Sequence, residues 1–342
     1  MNPQKIAVIG MQSITGEKGG AERFYEGLVS ALNVAGVEAE FVNVLSDESN
    51  FEAIEETYLR CYDLDLSSYE GVISTKAPSY LIRHVNHISY LPHTMRVFYD
   101  MFEYEFPRPT TELLRQRQWI QQMDAAALRF PRTKEVFVIG NEVKNRIQRY
   151  IHIDSEVLYL SSNVDHFKCN SFDYIFLPGR LHRWKRVDLI IEAMKYVNRP
   201  LELRIAGIGE KEPDLRELAE RDERILFHGR VSDEELVDLY ANALVVPFVP
   251  IREDLGLVTL EAFQSGKPVI TCHDSGEPTY LVHDGETGFI CPPNPKVIAS
   301  KFEFFYDHPD IAKQMGWRGS ESIQHIRWDE TAKRLLSALG MV

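Results

Sequence analysis

The chain has 342 residues, 44% of them hydrophobic and 26% charged, with a formal net charge of −13 at pH 7. That length suits two domains better than one core. The acidic balance argues against a nucleic-acid partner, which is met through basic side chains, and no apolar run approaches the roughly 20 residues that span a bilayer.

The opening "KIAVIGM" reads as a buried strand and "AERFYEGLVSALNVAG" as an amphipathic helix closed by Gly36, with "EAEFVNVL" as the next strand. The N-terminal apolar segment fits a strand better than a leader, and a cytoplasmic location is expected. Strands "GVISTKA" and "ISYLPH" follow, then the long helix "TTELLRQRQWIQQMDAAALRF", strand "EVFVIG", helix "NEVKNRIQRYI" and strand "EVLYL". Past the polar stretch "SSNVDHFKCNSFD" the same alternation restarts with "YIFLPG", "LELRIAG", "ILFHG", "LVVPF" and "PVITC", helices between them. Strands alternating with helices imply parallel sheets covered on both faces. The expected fold is α/β, two doubly wound Rossmann-like domains facing a cleft. The boundary is expected between Asp165 and Ser171, giving domains 1–168 and 169–324, with a terminal helix of about 325–342 packing back on the first. Cys61, Cys169, Cys272 and Cys291 are too scattered for a zinc or dithiol site and read as reduced thiols.

In such sheets ligands gather at the carboxyl ends of the strands, so chemistry is sought in those loops. In "PGRLHRWKR", Arg180 follows a strand and Lys185 is placed at the next helix start, where the helix end already favours an anion. The pair outlines a diphosphate grip; the alternative is a pair of surface ion pairs. In "AGIGE", Gly207 and Gly209 permit close approach of backbone to a ligand or to a neighbouring loop. Gly19 and Gly20 lead straight into a helix, leaving N–H groups for a ligand. The spacing of Gly10 and Gly16 is not that of a dinucleotide fingerprint, which makes a nicotinamide enzyme a poor reading.

In "EDLGLVTLEAFQSG" a loop carries Glu253 and the second turn of a helix carries Glu261. Free N–H groups near Leu255, Gly256 and Leu257 suit a diphosphate, Glu261 a ribose diol, and Glu253 the hydroxyls of a group beyond the diphosphate. Two ordinary solvent-facing acids are the alternative. From Arg108 to Arg149 nine basic residues stand against four acids. That stretch reads either as a solvated helix face or, through Arg115, Arg117 and Trp119, as a peripheral membrane contact.

The succession "GGAE", "HTMRVFYD", "SSNVD", "PGRLHRWKR", "AGIGE", "FHGRVSDEEL" and "EDLGLVTLEAFQSGKPVI" resembles the family 4 retaining glycosyltransferases of the glycosyltransferase B fold, over nearly the whole chain. The resemblance implies that Glu253 holds donor-sugar hydroxyls and Glu261 the ribose. It gives Arg180 and Lys185 the phosphates, main-chain groups at Arg230 and Val231 the nucleobase, and His93 a place near the transferred sugar, with His84 and His87 as competing positions. Two departures bear on the sugar pocket: Met95 where members often have Pro, and Asp254 where they commonly have Gly.

By the same resemblance the donor is a nucleotide-diphosphate sugar, with UDP as the candidate nucleotide. No metal or other cofactor is expected, since "DLD" at Asp63 and Asp65 reads as surface, and the acceptor is a saccharide or lipid-linked saccharide. A sugar-nucleotide epimerase or hydrolase and a noncatalytic nucleotide-sugar-binding subunit are the competing readings.

Overall fold

The computed structural model describes residues 3–13, 20–164 and 166–341. The chain folds into two units, one of Met1–Asn163 with Ile326–Val342 and a second of Val164–His325. In the first unit the chain runs β1 (Lys5–Ser13), α1 (Gly20–Val34), β2 (Glu38–Ser46), α2 (Phe51–Tyr62), β3 (Gly71–Ser74), β4 (His87–Leu91), α3 (Phe102–Glu105), α4 (Thr111–Leu128), β5 (Val136–Val138), α5 (Asn141–Ile151) and β6 (Glu156–Val157). The second unit runs β7 (Tyr174–Pro178), α6 (Val187–Met194), β8 (Leu203–Ala206), α7 (Glu212–Ala219), β9 (Ile225–Gly229), α8 (Asp233–Ala241), β10 (Ala243–Pro247), α9 (Leu257–Gln264), β11 (Val269–Cys272), α10 (Pro278–Leu281), β12 (Gly288–Cys291), α11 (Pro295–Asp307) and α12 (Pro309–Ser322). The last helix, α13 (Trp328–Leu339), returns to the first unit.

Each unit holds a six-stranded sheet, ordered β2-β1-β3-β4-β5-β6 and β12-β11-β10-β7-β8-β9. The strand pairings are parallel throughout the described residues. Helices on both faces leave no side of a central strand wet, so β3, β4, β7 and β10 are buried at every position. The order reverses between β1 and β3 in the first sheet and between β7 and β10 in the second. Such a reversal splays the crossovers apart and opens a crevice at the strands' carboxyl ends. Residues 14–19, Gly19 among them, lie outside the described residues; Gly20 is the first residue of α1.

The tail is tied by specific contacts. Trp328 Nε1 donates to Asn163 Oδ1 at 2.9 Å, Thr331 Oγ1 to the Tyr159 carbonyl at 2.9 Å, and Arg334 pairs with Glu135 and Glu156, each at 2.7 Å. Gly27 on α1 makes room for the Trp328 ring, which stands 2.5 Å from where a Cβ would be. Within "EVLYL" the strand covers Glu156–Val157 at the sheet edge, and the Leu158 N–H still donates to the Val138 carbonyl at 2.8 Å.

Three of the nine basic residues of the stretch turn inward. Arg146 is buried against Asp100 at 2.7 Å, Arg117 pairs with Glu103 at 2.9 Å and lies over the Phe102 ring, and Arg132 donates to the Leu81 carbonyl at 2.7 Å. Trp119, half-buried, packs edge-on against Phe51 and Tyr58. Arg108, Arg115, Arg129, Lys134, Lys144 and Arg149 remain exposed. Asp63 and Asp65 are exposed as expected: Asp63 is the C-cap of α2 and Asp65 accepts from the Ser67 N–H at 3.1 Å. Among the described residues no helix is long and apolar enough to cross a membrane.

Asp124 on α4 is fully buried and accepts from Tyr58 Oη and Tyr99 Oη, each at 2.6 Å. Burial raises its carboxyl to about 6, against the opposing pull of the tyrosine hydrogen bonds. A folded-state value above the ordinary aspartate value of about 3.9 means that the folded chain holds more proton than the unfolded chain between the two. The stabilisation is therefore complete below about pH 4 and is lost as pH rises through about 6. Asp124→Asn removes this dependence, so the variant's stability relative to the native chain should improve between about pH 4.5 and 7. Denaturation midpoints at the two pH values check it; a constant difference would show that Asp124 carries no linked proton.

Candidate donor site in the second unit

Arg180 stands two residues past β7 and is exposed, while Lys185 closes a single 3-10 turn, Arg183–Lys185. Lys185 does not begin the next helix, as the sequence suggested. Arg186 intervenes in the left-handed region with φ of 50°, and α6 starts only at Val187. Arg180 and Lys185 line a small hollow with Gly179, Pro247, Phe248 and Val249, from the ends of β7 and β10. This is the topological switch point of the second sheet, where a ligand is expected. His182 caps the turn by accepting from the Trp184 N–H at 3.1 Å. Burial holds its imidazole below the usual histidine range, with the charges of Arg180, Arg183 and Lys185 adding to the shift and Glu210 opposing it.

Across the hollow, the loop Val249–Asp254 delivers Glu253. Lys185 Nζ meets Glu253 Oε2 at 2.6 Å, so one residue of the expected phosphate grip is bonded to the expected sugar ligand. Gly256 precedes α9 with φ of 77°, and a Cβ there would strike the Phe248 ring and lie 3.3 Å from Glu253 Cγ. Only glycine meets both demands. No side chain caps α9 at Gly256, so the first N–H groups of this helix are available to an anion near Leu255 and Leu257. Leu255 itself is buried and anchors the turn.

Glu261 is 7% exposed, which excludes an ordinary surface acid. It accepts from Tyr240 Oη at 2.8 Å, and Tyr240 is held edge-on between Phe167 and Phe176. Burial raises the Tyr240 hydroxyl well above its usual range, the Glu261 charge adding to the shift, so Tyr240 stays a donor. Arg230 and Val231 follow β9 just before Ser232, which caps α8 in a capping box with Glu235. Gly207 has φ of 137° and faces Gly179, whose carbonyl a Cβ would overlap; Gly209 lies in the same way against Leu181. Of the two uses the sequence allowed these glycines, the structure displays the approach of two loops.

The three histidines near β4 separate by environment. His87 is buried, bonds Ser74 Oγ at 2.8 Å, and is lowered to about 4 by burial, a neutral core residue. His84 bridges the Tyr69 carbonyl at 3.0 Å and the Asn86 backbone at 3.1 Å. His93 stands past the carboxyl end of β4, half-buried, with Nδ1 2.9 Å from the Thr94 carbonyl. It belongs to the first unit, as Gly20 does, and the residues around the hollow belong to the second.

Sequence reasoning passed over Arg186. Its guanidinium donates to the carbonyls of Val249 at 2.6 Å and Pro250 at 2.8 Å, and to both carboxylate oxygens of Asp274 at 2.7 and 2.8 Å. Backbone bonds complete the suspension: Ile251 N to Trp184 O at 2.8 Å, Arg252 N to Asp274 O at 2.9 Å, Glu253 N to Ser275 O at 2.8 Å, and Glu277 N to Glu253 O at 2.9 Å. The loop that carries Glu253 is thereby fixed to the turn that carries Lys185. Its positive φ, its 14% exposed side chain and these bonds, all invisible in the sequence, distinguish Arg186 from a surface arginine. Arg186→Gly keeps a backbone suited to φ of 50° but removes four charge-assisted bonds. Hydrogen exchange at the Ile251 and Glu253 amides should rise about tenfold or more with the melting temperature little changed. Unchanged exchange would remove the guanidinium from this role.

Residues 168–322 match the family model described as glycosyl transferases group 1. Curated relatives include the D-inositol 3-phosphate glycosyltransferase of Streptomyces coelicolor, 31% identical over 170 residues (45% of this chain, 37% of that protein). The human alpha-1,3/1,6-mannosyltransferase ALG2 is 27% identical over 218 residues (53% and 51%). The chain thus spans about a third to a half of the length of these relatives. Among solved structures, sucrose-phosphate synthase from Thermosynechococcus elongatus superposes with a TM-score of 0.76 at 17% identity, covering 98% of each chain. Anabaena Alr3699/HepE, solved with UDP and glucose, gives 0.72 at 13% identity, covering 99% of this chain and 100% of that one. The two parallel six-stranded sheets with flanking helices are the glycosyltransferase B fold, and the second unit carries the group 1 glycosyl transferase sequence pattern.

Proposed function

We propose that this chain is a metal-independent, retaining glycosyltransferase of the family 4 kind. It moves a hexose from a nucleotide-diphosphate sugar to a hydroxyl of a saccharide or lipid-linked saccharide, in polysaccharide or glycoconjugate assembly at the cytoplasmic side. The observation that carries the reading is the meeting of Lys185, Glu253 and the uncapped start of α9 at the β7–β10 switch point, with Arg180 on the same hollow. The named relatives support glycosyl transfer, and the neighbour solved with UDP supports a uridine donor.

The chemistry follows from charge. Cleaving the bond between sugar and diphosphate places negative charge on the leaving oxygen, and preorganised positive charge there is the largest catalytic contribution available. Arg180, Lys185 and the first N–H groups of α9 supply it. Glu261, oriented by Tyr240, accepts from the ribose diol, and main-chain groups at Arg230 and Val231 meet the base. Backbone groups at Leu255, Gly256 and Leu257 line the diphosphate and sugar. Gly207 shapes the floor, and the N–H groups at Gly19 and at Gly20, the first residue of α1, are kept for the donor. Glu253 holds sugar hydroxyls rather than moving a proton. The acceptor hydroxyl attacks on the face the diphosphate leaves and passes its proton to a phosphate oxygen, which retains the anomeric configuration.

Replacing Lys185 with Ala should cost about 1.5–3 kcal/mol of nucleoside-diphosphate affinity, about ten- to a hundredfold, as for loss of a charged hydrogen bond. Glu261→Ala should weaken the same ligands. Calorimetry with UDP, GDP and ADP reads both, and unchanged affinity for all three in either variant would overturn the assignment. His93→Ala tests the first unit's share: turnover falls while nucleotide affinity is kept. NMR of products separates transfer from epimerisation or hydrolysis of the donor.

A further inference from the structure

The Lys185–Glu253 ion pair sets two expected ligand groups against each other. Its 2.6 Å contact is partly withdrawn from water, with the side chains 26% and 20% exposed and the ammonium 5.4 Å from the centre of the Phe248 ring. Both ends are fixed from behind. Lys185 is followed by the clamped Arg186, and Glu253 is bonded through both its N–H and its carbonyl and forms an isolated bridge with Gly276. Gly276, with φ of 78°, fits so closely that a Cβ would come within 2.5 Å of the Glu253 backbone nitrogen and oxygen. The carboxylate is therefore presented to Lys185 by a rigid loop.

A diphosphate that takes the ammonium for itself leaves this carboxylate without its cation and beside a second anion, in surroundings that screen charge poorly. A diphosphate carrying a sugar brings hydroxyl donors that the carboxylate accepts, replacing the bonds it gave up. We infer that the Lys185–Glu253 pair is a selectivity device: it disfavours nucleoside diphosphates without a sugar, so the site prefers loaded donor over spent product and releases the product after transfer. This inference rests on the donor-site reading above and adds to it a cost that falls on the product.

The test is calorimetric titration of UDP, GDP and ADP into the native chain, Glu253→Gln and Glu210→Gln at one ionic strength. Glu253→Gln should bind the preferred diphosphate about tenfold tighter, because Lys185 is released and the repulsion removed, a change of about 1.4 kcal/mol. Glu210→Gln, which removes a carboxylate near His182 and outside the pair, should leave affinity within about twofold, separating the pair from a general change of net charge. Equal or weaker binding by Glu253→Gln would overturn the inference while leaving the donor site standing, and so would an equal gain in Glu210→Gln. If none of the three diphosphates binds either the native chain or Glu253→Gln, the donor-site reading falls and the inference with it. Should Glu253→Gln fail to fold, Glu253→Ala is titrated in its place with the same expectations.

Discussion

The Arg186 guanidinium is the contact on which the second unit's site depends. Its four bonds reach two backbone carbonyls of the loop after β10 and one carboxylate of the loop after β11. Three segments distant in the chain thereby become one surface at the switch point. A planar fork with fixed donor directions suits such bridging better than an ammonium, whose three donors rotate on a flexible stem. The left-handed backbone at Arg186 costs roughly 1 kcal/mol or more for a residue with a Cβ, and the charge-assisted bonds offset it. Strain at this position follows from where the side chain must reach.

Charged and polar groups in the two units fall into two kinds. Some are paired among themselves: Arg146 with Asp100, Asp124 with its tyrosines, His87 with Ser74. Each sits in a core where a lone polar group would be costly, and each has a partner from a distant segment. Others stand in a hollow with their counter-charges only partly covered, as Lys185 and Glu253 do. Burial with closed partners locks structure; partial burial at the end of a strand leaves charge available for exchange with a ligand. This distinction also sorts the basic stretch, where Arg117, Arg132 and Arg146 turn inward and the other six basic residues are exposed.

Likeness in sequence is concentrated where this chemistry is. The family model matches residues 168–322, nearly the whole second unit, whereas the structural likeness extends over both units at identities that report fold alone. A sheet with both faces covered accepts many apolar sequences of suitable volume. A loop that must place a lysine, a glutamate and a glycine within bonding distance accepts few. The loops at the β7–β10 switch point can therefore keep their pattern while the strands around them drift.

The sequence by itself determined the two alternations of strand and helix, because parallel strands buried on both faces must be runs such as "YIFLP" and "ALVVP". It also determined which residue types crowd the carboxyl ends of β7 and β10. Glu261 could be named from its motif, but whether it faced solvent could not, since burial depends on Tyr240, 21 residues away. Local spacing put Lys185 at a helix start; tertiary contacts held by Arg186 ended the turn there and began the helix later. The choice among His84, His87 and His93 was equally beyond local reading, because three histidines in ten residues look alike until the sheet assigns one to the core, one to a loop and one to a strand end. Spacing along the chain fixes periodicity, and periodicity fixes elements. Which charge meets which is set by contacts between distant segments, and only the tertiary structure decided that Lys185 meets Glu253.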